Sequence, residues 1–304
     1  MTIMDRETFL QLPTEEVAKL VRAAGSKVCV FPINGTRRWF MLEHPEQNDA
    51  ESYLSITWRR HIDMYKLIFD HGFDTLLTPI FGPDLLERGE AYRKLIEPGL
   101  LWFAKDQEML NFYDAYDVRV RTYGDTQRYF TNTSYEPMLD VFAQLTENTL
   151  PHQHHRLFFG ICANDPAETI ASNSIAYYQK HGVHPNKRQI VESYYGEYVD
   201  PVALFIGFDR PTVFDMPLIA TGSEDLYFTV SPSLYLDTLT LRRILYDHLY
   251  SRRVSDAYTE LSLEERKKMS EFYTANRHHV LGIGDIQESK NFWYPLPEVV
   301  LPTG

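Results

Sequence analysis

Two adjacent arginines, Arg37 and Arg38, stand just beyond Gly35 in a stretch that follows a short apolar run, Val28 to Phe31. Guanidinium forks beside a glycine turn, where the backbone comes close and leaves N–H groups free, form a cradle suited to a diphosphate. The full stretch reads Pro32-Ile33-Asn34-Gly35-Thr36-Arg37-Arg38-Trp39-Phe40. An ordinary turn with solvated arginines is the other reading of the same residues. Thirty Lys and Arg against 42 Asp and Glu give a net charge of −12. That field repels phosphate, so a general nucleic-acid binder is excluded and any anion must be held by a local cluster.

Other chemistry-bearing residues are weaker signals. Asp84-Leu-Leu-Glu87 is an acidic first helical turn, of the kind that complements a helix dipole. Asn164-Asp165 with Glu168 reads as an N-cap followed by an acid, rather than a metal site. His152, His154 and His155 read as solvated histidines in a polar loop, and Arg242, Arg243, Arg252 and Arg253 as a solvated or partner-facing helix surface. The two cysteines, Cys29 and Cys162, lie in apolar runs and read as core thiols of a reducing compartment.

The elements that must position the arginines alternate along the chain. Strand-like runs are expected at Val28–Phe31, Thr75–Phe81, Val118–Tyr123, Leu157–Cys162, Val202–Ile206 and Leu226–Val230. Helices are expected over 51–69, from Asp84, and over 98–116, 137–145, 167–179, 187–195, 241–250 and 264–273. Short, nearly continuous apolar strands separated by helices indicate an α/β fold with a mainly parallel central sheet flanked by helices. No linker or repeat interrupts the chain, so a single domain over 1–304 is expected, with an extended C-terminal tail at about 285–304. The first 20 residues are broken by charges, which argues against a signal peptide, and no run approaches a membrane span. Ligands of such sheets sit beyond the carboxyl ends of the strands, which puts the turn after Phe31 first among candidate sites.

Strand, then Asn34-Gly-Thr-Arg-Arg-Trp39, resembles the Asp-Gly-Asn-Gly-Arg-Trp phosphate loop of cis-prenyltransferases of the undecaprenyl diphosphate synthase type. Asp225-Leu-Tyr-Phe-Thr229 resembles that family's Glu-Leu-Tyr-Phe-Thr, whose acid binds magnesium. A closer likeness covers nearly the whole chain and points to an offshoot, the diterpene synthases of the tuberculosinol (tuberculosinyl adenosine) synthase and kolavelool synthase group. It rests on Phe31-Pro32 with Gly35-Thr-Arg-Arg-Trp-Phe40, Val118-Arg-Val-Arg121, Leu157-Phe-Phe-Gly160, Tyr194-Tyr-Gly-Glu-Tyr-Val199, Phe205-Ile-Gly-Phe-Asp-Arg-Pro211 and Glu224-Asp-Leu-Tyr-Phe-Thr-Val-Ser-Pro232.

The resemblance implies an enzyme that ionises a bicyclic C20 allylic diphosphate and lets water attack to give a diterpene alcohol. It implies Gly35, Thr36, Arg37, Arg38 and Arg210 as diphosphate-binding residues, with Asn34, Tyr53, Tyr92 and Asp84 at the reacting centre. It further implies Mg2+ held by Asn34 and Asp225, a diterpenyl diphosphate as partner, and a homodimer in the cytoplasm without an integral membrane segment. Two departures stand out. The segment that binds a second diphosphate in chain-elongating relatives is Gly207–Asp215 here and keeps only Arg210, so chain extension is not expected. Asn34 stands where the family places an aspartate, and an amide brings no negative charge to a metal. Transfer to adenosine or isopentenyl diphosphate and a non-catalytic diphosphate-binding subunit are the alternative roles.

Overall fold

Val28–Val30 (β1) forms the middle of a parallel sheet because its three residues are wholly buried on both faces. It pairs in parallel with Thr75–Phe81 (β2) on one side and Leu204–Phe208 (β5) on the other. Val118–Tyr123 (β3), His155–Ile161 (β4) and Asp225–Thr229 (β6) complete the order β3-β4-β2-β1-β5-β6. The computed structural model describes residues 4–47, 49–82, 90–163, 166–213, 216–253, 261–287 and 292–296. Among them the sheet is six-stranded and wholly parallel, as the apolar runs indicated.

Helices cover both faces. Alternation along β4 sends Leu157, Phe159 and Ile161 into one core with Phe9, Tyr65, Phe69 and Phe103. Phe158 points the other way, into a smaller core with Tyr195 and Phe205. The first core is roofed by Arg6–Gln11 (α1), Thr14–Ala23 (α2) and Ala50–Asp70 (α4). α4 starts where Asp49 accepts a hydrogen bond from the Ser52 N–H, and it buries Thr57, His61, Ile62, Met64, Tyr65, Ile68 and Phe69. The β1 connection toward β2 and the β5 connection toward β6 leave in opposite directions, so the crevice beyond their carboxyl ends is the switch point of the sheet.

Some elements depart from the sequence reading. Thr36–Glu43 (α3) is a helix directly after the Gly35 turn, although only Trp39 and Phe40 of it are buried. The expected 98–116 helix is two helices, Glu90–Lys105 (α5) and Gln107–Ala115 (α6), because Asp106 caps the second by accepting from the Glu108 and Met109 N–H groups. Pro98 lies inside α5 rather than at its start. Later helices are Thr126–Phe130 (α7), Pro137–Thr149 (α8), Pro166–His181 (α9), Lys187–Tyr195 (α10), Thr238–Leu249 (α11) and Leu263–Asn276 (α12). The extended tail includes an antiparallel hairpin of Gly284–Gln287 and Phe292–Pro295. No helix among the described residues is long and apolar enough to cross a membrane.

Candidate active site

The cradle is built at the switch point. Gly35 caps α3 in the left-handed region, at φ 74° and ψ 15°, and no side chain caps that end. A helix start of this kind presents backbone N–H groups from which an anion can accept hydrogen bonds. A Cβ on Gly35 would meet Phe208 Cε1 at 2.8 Å and Pro232 Cβ at 3.1 Å, so both backbone angle and space demand glycine. Asn34, Arg37 and Arg38 are exposed, while buried Trp39 and Phe40 anchor the helix behind them.

Tyr53 of α4 reaches the same spot. Its hydroxyl lies 2.8 Å from Thr36 Oγ1, and its ring stands edge-on to Phe40 with centroids 5.4 Å apart. From the end of β5, Phe208 sits under the Arg38 guanidinium at 5.4 Å, and Asp209 Oδ2 lies 3.7 Å from Arg38 Nη1. Arg210 follows, exposed, in the same turn. The structure thus gathers Asn34, Gly35, Thr36, Arg37, Arg38 and Tyr53, with the Phe208–Arg210 turn against them. Asp84 lies outside the described residues. Tyr92 falls within α5, and its side chain lies outside them too.

Asp225 is placed elsewhere. It opens β6, level with Leu204, which is itself level with Cys29 of β1, whereas Asn34 lies beyond the far end of β1. Its Oδ2 is 2.6 Å from His248 Nδ1, its Oδ1 is 3.4 Å from Arg252, and Arg253 approaches to 3.8 Å. The two residues expected to share Mg2+ therefore do not meet, because the acid begins the strand whose far end reaches the site. The described residues contain no group of three or more His, Cys, Asp or Glu side chains placed to hold a metal. At the cradle the donors are the neutral Asn34 amide and an Asp209 already engaged by Arg38. Mg2+ is held through carboxylates together with substrate phosphates, so these residues do not fit a resident Mg2+ site.

Several residues took roles that the sequence did not disclose. Ser233, fully buried beyond β6, bonds the Pro32–Asn34 segment. Its signal was the Ser231-Pro232-Ser233 run following the family-like strand. His155 is buried against Phe69, with ring centroids 4.3 Å apart, and burial pushes its imidazole down to about 4. Arg242 is also buried, donating to the Leu10 carbonyl at 2.8 Å and to Thr14 Oγ1 at 3.0 Å, so neither is a solvated surface residue. Arg119, Arg121 and Arg156 converge on Glu197 at 3.1, 3.3 and 3.4 Å, which explains why two of the family-like stretches occur together. A cavity of about 480 Å³ lies between α4 and α5, walled by Leu54, Trp58, Pro98 and Trp102. The two indoles stack at 5.1 Å.

Comparison with solved structures gives the fold class. A probable undecaprenyl diphosphate synthase from Campylobacter jejuni aligns over 77% of this chain and 98% of its own, with TM-score 0.52 and 12% identity. Lavandulyl diphosphate synthase from Lavandula x intermedia, in complex with dimethylallyl diphosphate, aligns over 74% and 95%, with TM-score 0.51 and 12% identity. This is the cis-prenyltransferase fold. No family model matches the chain. In sequence, a tuberculosinyl adenosine transferase of Mycobacterium tuberculosis is 41% identical over 97% of this chain and 99% of its own. A (+)-kolavelool synthase of Herpetosiphon aurantiacus is 26% identical over 94% of each. The chain belongs to the cis-prenyltransferase-like diterpene synthase family that includes these two enzymes.

Proposed function

We propose that the chain ionises a diterpenyl diphosphate at the Gly35–Arg38 cradle and hands the resulting allylic cation to an acceptor. The observation that carries this reading is Arg37 and Arg38 at the uncapped start of α3, beyond the central strand of an acidic protein. As the C–O bond breaks, its electron pair leaves on the diphosphate. The growing charge is met by two guanidiniums and the positive end of α3, already oriented before the reaction. The ring of Tyr53 offers an aromatic face to the cation, by the attraction that draws ammonium groups to such rings.

With water as acceptor, the water oxygen bonds to the cation and loses a proton, giving a diterpene alcohol and diphosphate. A second reading, capture by a nitrogen lone pair of adenosine, is favoured by the 41% identity to a tuberculosinyl adenosine transferase over 97% of the chain. Incubation with C20 bicyclic diphosphates, with and without adenosine, followed by mass spectrometry of organic and aqueous phases, separates the two. An alcohol in both incubations supports water. A nucleoside adduct that displaces the alcohol supports adenosine, and the absence of both products refutes the ionisation reading.

A further inference from the structure

We infer that Ser233 is a positioning residue that sets the diphosphate cradle from beneath. This inference rests on the cradle reading above. The segment from β1 to α3 crosses open ground at Pro32–Asn34, where neither strand nor helix can satisfy its backbone groups. Ser233 supplies what is missing. Its Oγ accepts the Asn34 N–H at 3.1 Å and donates its own proton to the Pro32 carbonyl at 3.3 Å. Its backbone N–H donates to the Asn34 carbonyl at 3.1 Å. One fully buried residue therefore holds Asn34 by both main-chain groups, immediately before Gly35 turns left-handed and opens α3.

Ser233 is itself fixed. It starts the Ser233–Tyr235 turn, and Arg60 of α4 donates to the Leu234 carbonyl at 3.1 Å. α4 also brings Tyr53 to Thr36. The clamp thus sets α3 and α4 against one reference, so the arginines and the tyrosine keep a common geometry. Such alignment matters because misplacement of a charge-stabilising group by about 1 Å can cost about a hundredfold in rate. A hydroxyl is required, since it alone in so small a side chain both accepts and donates.

The test is calorimetric titration of the intact chain with inorganic diphosphate, together with steady-state kinetics. Ser233→Ala is expected to bind diphosphate about tenfold more weakly, as for loss of one or two net hydrogen bonds, and to lower kcat at saturating substrate, because misaligned arginines meet the growing charge less well. Ser26→Ala removes a comparable buried hydrogen bond at the opposite end of the sheet, to His248 at 2.6 Å, and should bind diphosphate as wild type does. Ser233→Cys keeps the volume with a weaker hydrogen-bonding group, should fall between Ala and wild type, and carries the test where the Ala form does not fold. Wild-type affinity in the Ser233 variants, while Arg37→Ala and Arg38→Ala lose it, overturns the clamp alone. Wild-type affinity in the arginine variants overturns the cradle reading, and the clamp with it.

Discussion

His248 Nδ1 lies 2.6 Å from Asp225 Oδ2, and the other ring nitrogen lies 2.6 Å from Ser26 Oγ. The order Ser–His–Asp is that of a hydrolase triad, but His248 is fully buried and Ser26 nearly so, which leaves no room for a substrate. The relay instead ties three pieces of chain together: the turn leading into β1, the start of β6 and α11. The imidazole donates to the carboxylate from Nδ1 and accepts from the serine. Burial pushes its affinity for a second proton below the ordinary value. Asp225→Ala leaves a buried donor unpaired, which costs about 2–3 kcal/mol of folding free energy. Urea unfolding should show that loss while KM for the diphosphate substrate stays unchanged. A raised KM with unaltered stability would return Asp225 to the reacting site.

Gly35 has a sharper tolerance. Ala at this position adds a methyl 2.8 Å from Phe208 and holds φ at 74°, a combination expected to cost about 1–3 kcal/mol. The first turn of α3 should shift away from Phe208, and Arg38, which rests on that ring, should shift with it. Product formation should fall at least tenfold for Gly35→Ala, measured well below its melting temperature. Wild-type turnover would show that the turn is not part of the working site.

How much of this was legible in the sequence depended on the element. Most strands were readable as short, nearly continuous apolar runs, though β3 interleaves Arg119 and Arg121 with its valines, and α4 because its apolar residues recur on one face. α3 was not, since Met41 and Leu42 of that helix are exposed and its two buried residues are adjacent. The arginines could be found from residue type and spacing. Asp225 was legible as distant from the site, since it precedes the expected Leu226–Val230 strand and ligands sit beyond the carboxyl ends of such strands, but the resemblance of its motif pointed the other way. In a parallel sheet the acid begins β6 and only the residues after Thr229, Ser233 among them, arrive at the cradle.

Asn34 stands exposed at the cradle with an amide rather than a carboxylate. With an amide in place of an acid, Mg2+ should not bind saturably to the substrate-free protein in the micromolar range. Asn34→Asp adds one carboxylate beside the cradle and should strengthen binding, because hard cations favour charged oxygen ligands. Calorimetric titration of both forms with Mg2+ checks this. Tight binding by the Asn34 form would reveal ligands beyond those described.

Stability should fall in acid through His61. Its Nδ1 lies 2.7 Å from the Thr57 carbonyl, and burial pushes the imidazole down to about 4. The unfolded chain takes up that proton near pH 6.5 while the folded chain resists until about pH 4, so stability drops across that window and the loss is complete at its lower end. The contribution is about 3 kcal/mol for this one group. His61→Asn should flatten the dependence of unfolding free energy on pH between these limits. An unchanged slope would show that His61 binds its proton equally well in the folded and unfolded chain.

Ionisation of a diterpenyl diphosphate at the arginine cradle must release inorganic diphosphate. Release of inorganic diphosphate from a bicyclic C20 allylic diphosphate, followed for the intact chain and for Arg37→Ala and Arg38→Ala, tests it most directly. Losing a preorganised charge partner of a developing anion costs about 2.7–4 kcal/mol, so each variant should retain no more than about one part in a hundred of the wild-type kcat/KM. Equal release by the wild type and both variants, or none by the wild type, would contradict the account.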